Sequence, residues 1–423
     1  MQLRLAIENS EGTLNDSIVT TRRTHTSAIK GLIQHPMREL DTWQDVIRGF
    51  SPAWFTVSMG TGMASMLFYN FPYEWSPLKY IAMAISLLDL LMFVVTLVLF
   101  TWRLVQYRDF FNILLHPQMS MLLGTVPMSF STVITSVVTI LAPYNVTWMP
   151  MLALVLWYIS ISFAVLSCLT IPFLITSHQK HVFECVNATL FLPVIPTVVA
   201  SSAGAIVASV HSGTMAVAVV LISYALWAMG VGISLMLLTY YIVRLVLHKL
   251  PSPEIIISAF IPPGVLGQSS YAIQLLGVQA LRVFPDALSQ MTYLGEVLHD
   301  LGFFIGFLFW SLAIWWLAHA IYSVLYTRFH SSVPFNLGWW ALIFPTGSFI
   351  SSSIKLWSLT GYTFFRILAS IMSVCVVTLW IVVTLHTIHY AWTGELLKPI
   401  NIRHLELHAY VEGKDVQSPE QQV

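Results

Sequence analysis

The sequence predicts an all-α polytopic membrane protein: ten transmembrane helices paired as five helical hairpins in a ring, with the odd-numbered helices lining a central pore. Three observations predict it. First, 57% of the 423 residues are hydrophobic and only 9% are charged, with a mean hydropathy of +0.77, whereas soluble domains carry about 25% charged residues. Second, apolar segments of spanning length follow one another with short connections, at 52–70, 79–102, 119–142, 149–175, 190–210, 214–243, 255–279, 296–327, 337–357 and 363–390. Third, small and hydroxyl residues recur at helical spacing on alternate segments.

Around this ten-helix domain, 51–392, lie a polar N-terminal segment, 1–50, and a polar tail, 393–423. The run from 39 to 50 alternates Leu40, Trp43, Val46, Ile47 and Phe50 with charges, which suits a short helix lying on the membrane surface or an ordinary solvated linker. The first residues include Arg4, Glu8, Glu11 and Asp16 and lack an apolar core, so insertion is expected to begin with the first helix. Of the nineteen Lys and Arg, all but Lys79, Arg282, Lys355 and Arg366 fall on the side that holds both termini, which makes that side cytoplasmic. The sequon at Asn145 is then external and that at Asn187 internal.

Formal net charge is zero, so bulk charge points to no nucleic-acid partner. Cys168, Cys185 and Cys375 have no metal or disulfide spacing. His178/His181 and His386/His389 stand three residues apart, the weak signal on which a haem or metal oxidoreductase would rest. There is no phosphate-binding loop. No cofactor and no metal is expected.

Each odd helix carries a face of small or polar residues. In the first, Ser58, Gly62, Ser65 and Tyr69 align beside Gly60; in the third, Ser120, Gly124, Pro127, Ser131 and Thr135. The fifth aligns Pro193, Thr197, Ser201, Gly204 and Ala208, with Ser202 adjacent; the seventh aligns Pro263, Gly267, Ser270 and Gln274, with Gly264, Gln268 and Ser269 between them. For one helix alone, such spacing is what close helix packing requires. Recurrence on five alternate helices, mostly with proline, favours a pore.

The ninth helix, residues 337–357, holds Pro345 and Gly347 within an apolar run, and Pro345 has no N–H for the carbonyl of Ala341. A bend there is expected, and bent backbone inside a bilayer must be buried in protein or line a cavity. Phe344 sits at the bend and shares a face with Trp340, Ser348, Ser351 and Lys355, which suggests an aromatic plug. The odd helices carry no carboxylate on these faces, and Asp89 is on an even helix, which weighs against a cation route. Broken helices present positive ends, which suit a small anion.

The stretches 50–73 (FSPAWFTVSMGTGMASMLFYNFPY), 195–204 (IPTVVASSAG), 262–269 (PPGVLGQS) and 338–348 (GWWALIFPTGS) resemble the tellurite-resistance/dicarboxylate transporter family. That family includes bacterial tellurite-resistance proteins, plant slow anion channels, fungal malate permeases and fungal sulfite efflux pumps, and the chain is most similar to the last. The resemblance implies a pore within each protomer of a homotrimer and a gating phenylalanine, here Phe344 beside Pro345. It further implies efflux of sulfite or bisulfite across the plasma membrane, or else malate transport on the same scaffold.

Overall fold

The computed structural model describes residues 43–287 and 293–397. The expectations for 1–42 and 398–423 lie outside the described residues. Among the described residues there is no strand. A short helix, Trp43–Gly49, falls within the expected surface segment. Ten long helices follow among the described residues: α1 Phe55–Tyr69, α2 Ser76–Tyr107, α3 Thr125–Leu141, α4 Met149–Ser177, α5 Ile195–Ser209, α6 Gly213–His248, α7 Ile261–Ala287, α8 Leu294–His330, α9 Ile343–Thr360 and α10 Thr363–Trp392.

Local chemistry sets the hairpin turns. Gly361, at φ 71°, ends α9 in the left-handed region and its N–H donates to the Trp357 carbonyl at 2.8 Å, so α10 starts two residues later. Pro77 and Pro150 stand in the first turns of α2 and α4, where a missing N–H costs nothing. Longer connections between hairpins are pinned by buried arginines. The Arg103 guanidinium donates to the Phe50 carbonyl and to Asp109. Arg244 donates to the carbonyls of Glu184 and Lys249.

Among the described residues, six helical stretches have the length and apolarity to cross a membrane: α2, the stretch Pro117–Tyr144 containing α3, α4, α6, α8 and α10. The chain is a multi-pass membrane protein. The even helices expose large apolar side chains such as Leu91, Phe163, Met236, Phe304 and Ile371, as helices in contact with lipid do. The odd helices are the interior. α5 is buried along nearly its whole length. α1 packs on α3, α3 on α5, α5 on α7, α7 on α9, and α9 on α1. Each even helix packs on its hairpin partner and on one further odd helix: α2 on α3, α4 on α5, α6 on α7, α8 on α9 and α10 on α1.

The prolines of the odd helices act differently from the expected mid-helix bend. Pro345 lies in the first turn of α9, which begins only at Ile343; the residues before it, Leu337–Leu342, form a 3-10 helix. Pro127, Pro196 and the pair Pro262–Pro263 likewise fall in the first turns of α3, α5 and α7. At that position the amide has no partner within the helix, so proline starts the helix rather than breaking it. Four of the five odd helices are short, α7 with 27 residues being the exception. α1 and α5 have 15 residues and α9 has 18, which at a 1.5 Å rise is about 22–27 Å, less than the ~30 Å hydrocarbon core.

Candidate anion pathway

The N-terminal ends of all five odd helices converge on one cavity of about 90 Å³. Thr56 and Met59 reach it from α1, Met128 from α3, Ile195 from α5, Gly264 and Val265 from α7, and Phe344 and Pro345 from α9. The turns before the helices complete the wall with Leu122, Thr189, Leu192, Ser258 and Ala341, among others. Each helix N-terminus carries roughly half a positive charge, so the cavity sits where five such ends meet. Phe344 is 5% exposed and forms part of the wall.

The backbone at these ends offers few free donors. The Ile343 N–H is taken by the Trp340 carbonyl and the Ile261 N–H by the Ser258 carbonyl. Pro262, Pro263 and Pro345 have no N–H at all. The helix field therefore reaches the cavity while direct backbone hydrogen bonds are scarce.

Of the residues singled out from the sequence, Phe344, Pro345 and Gly264 come together at the cavity. Pro263 occupies the first turn of α7 next to it. A Cβ on Gly264 would meet the Pro345 ring, so α7 and α9 touch there. Several others sit where helices are closest. Gly60 faces Trp340, Gly62 faces Asp89 and Thr132, Gly124 the Leu192 carbonyl, and Gly204 Trp157 and Ser223. Gly267 faces the Phe349 backbone and Gly347 the Met63 side chain.

The hydroxyls divide into two groups. Some tie an odd helix to an even one: Ser58 donates to Asp89 Oδ1 at 2.6 Å, Ser65 to the Ala82 carbonyl at 2.8 Å, and Ser270 to the Gly306 carbonyl at 2.6 Å. Ser131 and Ser160 share a hydrogen bond of 2.8 Å between α3 and α4. Others stay within the set of odd helices. Gln268 donates to Ser202 Oγ at 2.7 Å across α7 and α5, and Ser348 donates to the Phe344 carbonyl at 3.0 Å. Thr197 and Ser269 donate to carbonyls of their own helices, and Ser351 contacts Met63 sulfur at 3.9 Å. Ser201 Oγ is buried with no partner among the described residues. Lys355 is partly buried and makes no ion pair among the described residues.

Asp89 is fully buried inside the protomer. Ser129 donates to Ser58, which donates to Asp89, so the carboxylate anchors α1 to α2 and α3. The histidine pairs are engaged locally: His178 with Ser177, His181 with Gln179 at 2.9 Å, and His386 Nδ1 with the Val382 carbonyl. Partial burial lowers the His181 imidazole from its usual range, favouring the neutral ring.

Sequence reasoning missed Thr56, Met59, Met128, Ile195 and Ser258 at the cavity. Ser258 was hidden by the assumption that the seventh helix starts at 255; the pair Pro262–Pro263 was the available signal that it starts later.

The family model described as SLAC1, voltage-dependent anion channel, matches residues 49–388. The chain is 35% identical over 363 residues to a sulfite efflux pump SSU1 of Trichophyton rubrum, covering 85% of this chain and 96% of that protein. It is 26% identical to a sulfite efflux pump SSU1 of Candida albicans, over 80% of this chain and 72% of the relative. It is 24% identical to a malic acid transport protein of Schizosaccharomyces pombe, over 79% and 77%. A cavity shared by five helix N-termini, and a family match running from the first of those helices into the last helix of the bundle, lead to one conclusion: the chain belongs to the SLAC1 family of voltage-dependent anion channels.

Proposed function

We propose that the protein carries sulfite or bisulfite out of the cytoplasm across the plasma membrane and so confers sulfite tolerance. In this reading all ten long helices cross the membrane, the five odd helices ring a pore, and Phe344, held by Pro345, is its gate. The observation that carries it is the convergence of five positive helix ends on a cavity walled by Phe344. The closed order of contacts among α1, α3, α5, α7 and α9 supports the ring, as does the burial of these helices behind lipid-exposed even ones. The likeness to sulfite efflux pumps over most of the chain supports the substrate.

The physics fits efflux. Dipoles draw an anion in, and the lack of a dense cationic site lets it leave. Of the serines along the odd helices, Ser201 keeps a hydroxyl uncommitted among the described residues as a partial substitute for hydration, whereas Ser202, Ser269 and Ser348 donate to carbonyls of their own helices. Lys355 lies toward the far end of α9. With both termini cytoplasmic, the cavity opens toward the cytoplasm. The inside-negative potential then favours exit by about 2.3 kcal/mol per charge per 100 mV. The assembly expected is a homotrimer with one pore per protomer.

Labelled sulfite and labelled malate uptake by proteoliposomes, with and without an imposed potential, tests the substrate. Potential-driven sulfite flux that malate leaves unaffected supports this reading. The likeness to a malic acid transport protein favours a second one, and malate flux that competes with sulfite would move the assignment to a dicarboxylate permease.

A further inference from the structure

Three residues with side-chain hydroxyls line the cavity beside Phe344: Thr56, Thr189 and Ser258. Two are committed. Thr56 Oγ1 donates to the Ala53 carbonyl at 2.6 Å, and Thr189 Oγ1 donates to Asn187 Oδ1 at 2.7 Å. Ser258 is only 7% exposed, and its Oγ has no hydrogen-bond partner among the described residues. A buried hydroxyl left without a partner is unfavourable, and native structures rarely keep one without a use.

The backbone near Ser258 does not supply an alternative donor. The Ile261 N–H is spent on the Ser258 carbonyl itself, and Pro262 and Pro263 follow. Across the cavity, the Ile343 N–H is spent on Trp340 and Pro345 has none. The remaining wall is largely hydrocarbon, from Met59, Met128, Ile195, Val265 and Phe344. The space accommodates several waters or one small oxyanion.

We infer that Ser258 is the hydrogen-bond donor that a permeating oxyanion meets in this cavity, and that it sets the apparent affinity for the anion before the Phe344 barrier. The inference rests on the sulfite reading above and adds a specificity-determining residue to it. The helix ends supply non-directional attraction. Ser258 supplies the one directional contact, which distinguishes an oxygen acceptor from a halide. A single donor holds the anion weakly enough for it to move on.

The test is concentration-dependent anion flux in proteoliposomes made with wild type, Ser258→Ala and Ser258→Thr. Ser258→Ala is expected to raise the half-saturating sulfite concentration about tenfold, the effect of losing one charge-assisted hydrogen bond, with the maximal rate within about twofold of wild type. Iodide, a poor hydrogen-bond acceptor, is expected to shift less than about twofold. Ser258→Thr, which keeps the hydroxyl, is expected to restore sulfite affinity. If the alanine variant does not purify, Ser258→Cys, nearly isosteric with only a weak donor, carries the same comparison. An unchanged half-saturating concentration in a conducting variant overturns the assignment of Ser258 alone. Equal shifts for sulfite and iodide that threonine does not rescue also overturn it, because they report packing. No sulfite flux through the wild type overturns the sulfite reading and this inference with it.

Discussion

Ser58 on α1 donates a 2.6 Å hydrogen bond to Asp89 on α2, and Ser129 on α3 donates to Ser58 at 2.9 Å. The three side chains are buried together, so this chain of donors fixes the first hairpin to the second. Removing the acceptor leaves the Ser58 hydroxyl proton without an acceptor, although Ser129 still donates to its oxygen. Asp89→Ala is therefore expected to lower stability by about 1–3 kcal/mol, while Asp89→Asn, which keeps an acceptor, costs less. Thermal unfolding of the purified variants checks this; equal melting temperatures for the alanine variant and wild type would refute the anchoring role.

Gly267 on α7 is a point where α9 comes close through its backbone. A Cβ there would lie 2.7 Å from the nitrogen and α-carbon of Phe349, and backbone cannot swing aside. Gly267→Ala is expected to cost about 1–3 kcal/mol by forcing the two helices apart. Thermal unfolding and monodispersity in detergent measure it, and a fully stable variant would show the contact to be slack.

Pro345 starts α9 rather than bending it. Pro345→Ala is thus expected to fold with unchanged helix content and to lose no more than about 1 kcal/mol, chiefly through the unfolded state. A loss of several kcal/mol would mean the ring itself holds the helix end.

The orientation is tested by cysteine accessibility in a background free of Cys168, Cys185 and Cys375. Asn145 and Lys249 have positive φ, so exposed residues without that constraint serve better. Tyr144→Cys, between α3 and α4, is expected to react with an impermeant thiol reagent from outside, and Lys180→Cys, between α4 and α5, only after permeabilisation. The opposite result reverses the assignment of both ends.

Much of this architecture is legible in the sequence because a bilayer demands long apolar runs. The fourth segment was expected at 149–175 and runs from Met149 to Ser177; the tenth was expected at 363–390 and runs from Thr363 to Trp392. The odd segments were less legible. Their apolar runs include 3-10 turns as well as helix, so hydropathy alone set the starts too early, as at 337 against Ile343. Small-residue faces were ambiguous for a physical reason. Gly204 and Ser131 meet even helices, whereas Gly264 meets Pro345 at the cavity, and periodicity cannot tell one buried side of an interior helix from another. Phe344 was legible because a proline next to it restricts the backbone. Ser258 was not, because no repeat or spacing marks a hydroxyl in a turn.

The most direct test of the central claim is sulfite flux through Phe344→Ala in proteoliposomes at a fixed potential, beside wild type at equal protein density. Replacing the ring with a methyl removes the proposed barrier between the cavity and the far side, so flux is expected to rise several-fold with assembly unchanged. Flux equal to wild type in a normally assembled variant would contradict a gate at Phe344.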